Sequence, residues 1–138
     1  MRNLVIKFLL ASLLSGFASP ELGAQHVLTI KINGLPEDKG SVMLELLDQD
    51  RNTLERVVGQ IQNQQSTIII DSLSSGTYAF RYFHDIDGDG ELNTNWVGMP
   101  TEPYGFSNNV VGSFGPPTFE RWLFDLQSNK EMICKPEY

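Results

Sequence analysis

The sequence predicts an all-β protein, an antiparallel sandwich of about seven short strands. Two observations carry that prediction. Apolar runs of strand length are separated by clusters of Gly, Pro, Asn, Asp and Ser roughly every ten residues. Within most of these runs apolar and polar residues alternate with a period of two, and nothing after the N-terminal leader has the spacing of an amphipathic helix. A closed barrel of eight strands is the competing architecture, and the strand pattern falls slightly short of it. The 138 residues suit one domain, with no internal repeat.

The first segment, "MRNLVIKFLLASLLSGFA", stands apart from that domain. Arg2 and Lys7 supply positive charge, the stretch from Leu4 to Leu14 is mostly apolar, and small residues follow at Gly16, Ala18 and Ala24. That order reads as a secretory signal peptide over residues 1–24. Cleavage after Ala24 leaves a domain over 25–138, and cleavage after Ala18 is the alternative. The apolar run is shorter than the roughly 20 residues a membrane-spanning helix needs. No cysteine lies near either site to carry a lipid anchor.

The elements then follow in order. "HVLTIKIN" sets Leu28, Ile30 and Ile32 on one face against Thr29 and Lys31, a half-buried strand. "GLPEDKG" breaks it in the manner of a hairpin connection. "SVMLELLD" alternates Val42, Leu44 and Leu46 against Glu45, and "DQDRNT" reads as a turn. "ERVVGQIQ", over 55–62, reads equally as a short strand or an irregular segment. "STIIID" is short and β-branched, a buried strand. "SLSSGTYAFRYFHD" turns at Gly76 and continues as a strand carrying Tyr78, Phe80 and Tyr82 on one face. After a long segment over 96–117, "TFERWLFDLQ" alternates Trp122, Phe124 and Leu126 with Arg121 and Asp125, and "EMICKPEY" reads as the last strand.

Charge excludes some partners. The chain carries 10 Lys and Arg against 17 Asp and Glu, a net charge of −7. Losing the leader removes Arg2, Lys7 and Glu21, which leaves the domain more acidic still. Nucleic acid and anionic lipid surfaces need basic patches and are disfavoured. Cys134 is the only cysteine, so no intrachain disulfide is available in an oxidising compartment. Beside Met132 and Ile133 it reads as a buried apolar side chain, with pairing between chains the alternative.

The stretch richest in chemistry is "HDIDGDGELNTN", residues 84–95. Calcium takes six to eight oxygens, which helix-flanked calcium loops space at positions 1, 3, 5, 7, 9 and 12. With Asp85 at the first position, Asp87 and Asp89 take the third and fifth, and Gly90 takes the sharp-turn position. Glu91 then offers its backbone carbonyl and Asn93 sits at the ninth, but Trp96 occupies the twelfth, where a glutamate is required. Glu102, from the following segment, is the candidate for the missing carboxylate. Magnesium wants fewer protein ligands in stricter geometry and comes second. A metal-free turn remains equally open, because aspartate and glycine are what tight turns use.

His84 beside Asp85 raises a catalytic reading. A Ser-His-Asp triad needs a nucleophile as well, and no Gly-x-Ser-x-Gly elbow is present. Only His26 and His84 occur, which leaves zinc without support. His84 continues the Tyr78–Phe80–Tyr82 face and reads as a hydrogen-bonded structural histidine. The segment 96–117 carries Trp96, Val97, Met99, Tyr104, Phe106 and Phe114, too many apolar groups to leave solvated. It is expected to pack across the sheet, or to present a groove for a sugar or peptide.

The run "HDIDGDGELNTNWVGMPTEPYGFSNNVVGSFGPPTFE" resembles the signature of the domain of unknown function 2141 family of exported bacterial proteins. The shared positions are His84, Asp85, Asp87, Gly88, Asp89, Gly90, Leu92, Asn95, Gly98, Pro100, Glu102, Tyr104 to Asn108 and Gly115 to Phe119. Asn93 departs from the pattern, which usually has aspartate there, so any ion would meet one charge fewer. The "SGTY" turn is similar to that of transthyretin-like and carboxypeptidase-regulatory sandwiches, which favours an immunoglobulin-like or transthyretin-like sandwich. The resemblance implies export from a Gram-negative-type cell, to the periplasm or the surface, and that 84–95 and 96–119 form one unit. It implies no particular activity.

The expected function is therefore a non-enzymatic binding or accessory module, with a calcium-stabilised loop built from Asp85, Asp87, Asp89, Glu91, Asn93 and Glu102. Its partner would be a protein, peptide or glycan, not nucleic acid, and no cofactor other than calcium is indicated. The alternatives are a structural subunit of an envelope assembly without an ion, and a hydrolase using His84 and Asp85.

Overall fold

The computed structural model describes residues 23–138. The expected leader lies outside the described residues except for Gly23 and Ala24. Among the described residues eight strands form two sheets: β1 (Gln25–Asn33), β2 (Ser41–Asp48), β3 (Thr53–Gly59), β4 (Gln65–Ser74), β5 (Gly76–Asp85), β6 (Tyr104–Phe106), β7 (Phe124–Leu126) and β8 (Lys130–Cys134). One sheet runs β4-β1-β8 and the other β3-β2-β5-β6, with β7 also on β5. The two sheets remain separate, so the molecule is a sandwich and not a closed barrel. No helix among the described residues is long and apolar enough to cross a membrane.

The alternation seen in the sequence is the cause of the layering. Leu28, Ile30 and Ile32 of β1 and Ile68 and Ile70 of β4 face Val42, Leu44 and Leu46 of β2 and Tyr78, Phe80 and Tyr82 of β5. Phe124 and Leu126 complete this core from β7, and Phe80 meets Phe124 edge to face at 5.8 Å. Burying each such side chain stabilises the fold by roughly 1.5–3 kcal/mol. Cys134 lies in the same core, as expected, and the neighbouring Ile133 points outward and is exposed.

The segment left open between strand and irregular structure is a strand, β3, paired with β2, although most of its side chains are exposed. Three features differ from the expectation. An eighth strand, β6, lies inside the Pro- and Gly-rich segment, where three residues pair with Arg81–Phe83. β8 runs parallel to β1, so the sandwich is not wholly antiparallel. The strand expected to contain Trp122 begins only at Phe124. Phe119–Arg121 form a 3₁₀ turn, and Trp122 closes it by donating its N–H to Phe119 O.

Trp122 belongs to a second apolar cluster, with Ala79, Phe106 and Phe119, on the outer face of the β3-β2-β5-β6 sheet. That cluster explains why β5 is buried on both faces at Ala79. It roofs one end of the outer face and leaves the other end for the loops described next.

Candidate functional site

β5 positions the acidic loop. His84 ends its core-facing row, is fully buried, and donates its Nε2–H to the Lys39 carbonyl at 2.6 Å. The hydrogen bond fixes the ring against the β1–β2 connection, and Nδ1 has no hydrogen-bond partner. Asp85 pairs with Ser41, is buried, and turns its carboxylate into the loop. Its Oδ1 accepts from Gly88 N at 3.0 Å and its Oδ2 from Gly90 N at 2.9 Å. Both glycines take left-handed φ, 75° and 78°, which lets the backbone wind around one carboxylate without steric cost.

Further round, Asp87 Oδ1 accepts from Asp89 N at 3.2 Å and Asp89 Oδ1 from Glu91 N at 2.9 Å, two successive Asx bonds. Asn93 Nδ2 donates to Asp87 Oδ2 at 2.6 Å. The Asn93 amide and the Asp89 N–H together hold the Asp87 carboxyl below its ordinary range, against a small opposing effect of burial. Glu102 reaches back from the next segment and is buried. Its Oε1 accepts from Ile86 N at 2.9 Å and its Oε2 from Asn93 N at 3.0 Å, so one carboxylate ties the start of the loop to its end.

The expected ligand set is thus only partly convergent. One oxygen each from Asp85, Asp87 and Asp89 lies within 4.8 Å of the others. None of the ion pairs among the described residues involves these three. Asn93 stands beside them through Asp87. Glu102 joins the loop through backbone amides on both oxygens, as Asp85 does, but stands outside that group of three, and Glu91 is exposed with its N–H on Asp89. Nor are His84 and Asp85 bonded to each other: Asp85 is bonded to Gly88 and Gly90 and His84 to Lys39.

The long segment is clamped at its middle. Ser107, fully buried, donates its hydroxyl to Trp122 O at 2.6 Å and accepts from Phe80 N at 3.1 Å. Asn108, at φ 64°, aims its amide N–H groups at the carbonyls of Arg121, Trp122 and Leu123. Asn109 bonds Ile133 O and Lys135 N. Gly105 faces inward over Tyr82, and a Cβ there would collide with the phenol oxygen. The run "YGFSNN" is therefore a fastening of the segment to β5, β8 and the 3₁₀ turn.

Either side of that fastening the segment stands away from the core. Trp96, Val97 and Met99 on one loop, and Phe114 on the next, are exposed, contrary to the packing expected for them, and Val111 is exposed on the same loop as Phe114. The physical reason is local bonding. Asn95 Oδ1 accepts from Val97 N and Met99 N, and Asn95 N donates to Met99 O. These bonds fold the tip on itself and present its side chains outward.

Between the loops and the sheet lies a cleft of about 820 Å³. Its floor is an outward row that crosses four strands in register: Val58 beside Met43, Met43 beside Phe83, Phe83 beside Tyr104. The adjacent row is Arg56, Glu45, Arg81 and Phe106. Glu45 accepts from Arg56 Nη2 at 2.9 Å and from Arg81 Nε at 2.6 Å, and also from Thr53 Oγ1 at 2.7 Å. Burial pushes its carboxyl up, and the bonds from Thr53 and the two arginines outweigh that and hold it below its ordinary value. Sequence reasoning offered a groove on the segment 96–117 but missed the sheet floor beneath it. Its signal was Met43 and Phe83, apolar residues at positions of β2 and β5 where the alternation calls for polar ones.

A family model for an uncharacterized protein conserved in bacteria, domain of unknown function 2141, matches residues 30–134. No curated protein and no solved structure matches the chain.

Proposed function

The chain belongs to the domain of unknown function 2141 family, and from its own geometry we propose that it is an exported, non-catalytic binding module that takes a ligand in the cleft on the outer face of its second sheet. The observation that carries this reading is the row Val58–Met43–Phe83–Tyr104, an apolar strip on the solvent side of a sheet. Such a strip gains nothing for the sandwich core. A concave apolar floor with a few convergent polar groups is the usual character of a small-ligand site. Export is supported by the leader composition of residues 1–24.

What speaks against a hydrolase is that His84 and Asp85 each hold backbone groups and that no hydroxyl or thiol is hydrogen-bonded to either. The acidic loop has a supporting part. Three aspartate carboxylates without a cationic partner favour a calcium ion at Asp85, Asp87 and Asp89, which would stiffen the loop over 92–100 that borders the cleft.

Nile red, an uncharged apolar dye, tests the binding reading. The purified protein should bind it saturably, with a blue shift. A Met43→Gln, Phe83→Gln variant should fold with an unchanged far-ultraviolet spectrum and lose that signal. Dye binding that survives in the variant would remove the cleft as the site.

A further inference from the structure

We propose that the cleft is built for a linear amphipathic monoanion, an acyl carboxylate whose chain lies along the Val58–Met43–Phe83–Tyr104 row and whose head meets Arg56 and Arg81; this rests on the binding reading above and does not require calcium. Charge complementarity makes the case. Among the cleft-lining residues the only charged side chains are Glu45, Arg56 and Arg81, so the site carries one net positive charge on a protein whose overall charge is −7. Glu45 is largely covered while the two arginine side chains are exposed, so the uncompensated charge faces the ligand.

Arginine has five N–H donors in a planar fork. Glu45 takes one from Arg56 and the Nε and Nη2 sides of Arg81, which leaves donors on both guanidinium groups for one more carboxylate. A single head is the natural stoichiometry, because a polyanion would meet the surrounding negative field.

The body of the ligand follows from the floor. Strands lie about 4.8 Å apart, so the four-strand row is roughly 14 Å long. The charged row lies two residues away along the strands, roughly 7 Å. An extended aliphatic chain fits that strip with its head turned to the arginines. A glycan does not, since its hydroxyls would lose water over Val58, Met43 and Phe83 with no partner in exchange. Met99 and Phe114, exposed on the two loops and lining the same cleft, supply further apolar surface above the chain.

The test is a set of titrations of the purified protein by calorimetry, the two ionic probes kept below their micelle-forming concentrations and the alcohol below its solubility limit. Dodecanoate is compared with dodecanol and dodecyltrimethylammonium, in the native protein and in Arg56→Met, which leaves the Arg81–Glu45 pair in place. The proposal expects dodecanoate to bind best and to weaken by about tenfold in Arg56→Met, the scale of one lost charged hydrogen bond. Dodecanol binding should be unchanged by the substitution. Equal or tighter binding of the cationic probe, or dodecanoate binding insensitive to Arg56, would overturn the anion selectivity and leave the cleft standing as an apolar site. If none of the three alkyl probes binds and Nile red does not either, the binding reading itself falls.

Discussion

Glu102 is the residue whose removal should tell most about the acidic loop. It is 5 % exposed and accepts backbone N–H bonds from Ile86 and Asn93, at 2.9 and 3.0 Å. A hydrogen bond to a charged group contributes about 1.5–3 kcal/mol, and an unmade one leaves a buried donor unsatisfied. Glu102→Ala removes both acceptors at once, so a destabilisation of about 3 kcal/mol is expected. Glu102→Gln keeps one carbonyl oxygen and sets its amide N–H against a backbone N–H, so about half of that loss should follow. Urea unfolding measures both, through the midpoint at unchanged slope. Hydrogen exchange adds a local reading, because the Ile86 and Asn93 amides should lose protection in the alanine variant before the β1 amides do. A Glu102→Ala protein within about 0.5 kcal/mol of the native one, with both amides still protected, would refute the assignment of Glu102 as the tie between the ends of the loop.

Calcium at 100 times its dissociation constant should raise stability by about 2.7 kcal/mol, on the order of ten degrees in thermal unfolding for a domain of this size. Asp87→Asn with Asp89→Asn should abolish that gain and leave the chelator-treated protein slightly less stable at neutral pH, since the lowered Asp87 carboxyl means that its bonds from Asn93 and Asp89 N outweigh the nearby like charges; no shift with calcium or magnesium would dismiss the ion. Burial pushes the Cys134 thiol from 9.0 up to about 12, so the native protein should resist alkylation at pH 8 and react only on unfolding. The raised value also means that stability is undiminished by this group below pH 9 and declines as pH rises towards 12, and Cys134→Ala should shrink that alkaline limb in a pH series of unfolding midpoints, the remainder belonging to the Tyr82 phenol, which burial also pushes up. Glu45 has the opposite sign. Its lowered carboxyl contributes stability that is present above its ordinary 4.5 and lost as pH falls through the folded value, so Glu45→Gln should flatten the acid limb of the same series.

How much of this was legible in the sequence depended on whether a feature was local. β1, β2 and β5 could be read because one face of each is fully buried, so Leu28–Ile30–Ile32, Val42–Leu44–Leu46 and Tyr78–Phe80–Tyr82 had to alternate. β3 is an edge strand exposed over most of its length, and burial imposed no alternation for the eye to find. Trp122 misled because it keeps step with Phe124 and Leu126 by count while facing the opposite side of the sheet: it packs on Phe106, ring centroids 4.3 Å apart, and Phe124 packs on Phe80. The parallel placement of β8 beside β1 is a pairing between distant segments that no local pattern encodes.

The same distinction separates the two candidate sites. The aspartates of the loop sit two residues apart, so their convergence could be anticipated from spacing alone, and Glu102 could be named as a partner although its use as a backbone tie could not. The cleft floor is assembled from four segments, Val58, Met43, Phe83 and Tyr104, which become neighbours only once the strand order is set. Each is unremarkable in its own stretch. Together they form an apolar strip on the wrong side of the sheet for the core, beside the only charged side chains that line the cleft. A sequence pattern records which face of a strand meets the core; it records a ligand surface only where a residue breaks that pattern, and here Met43 and Phe83 are the breaks.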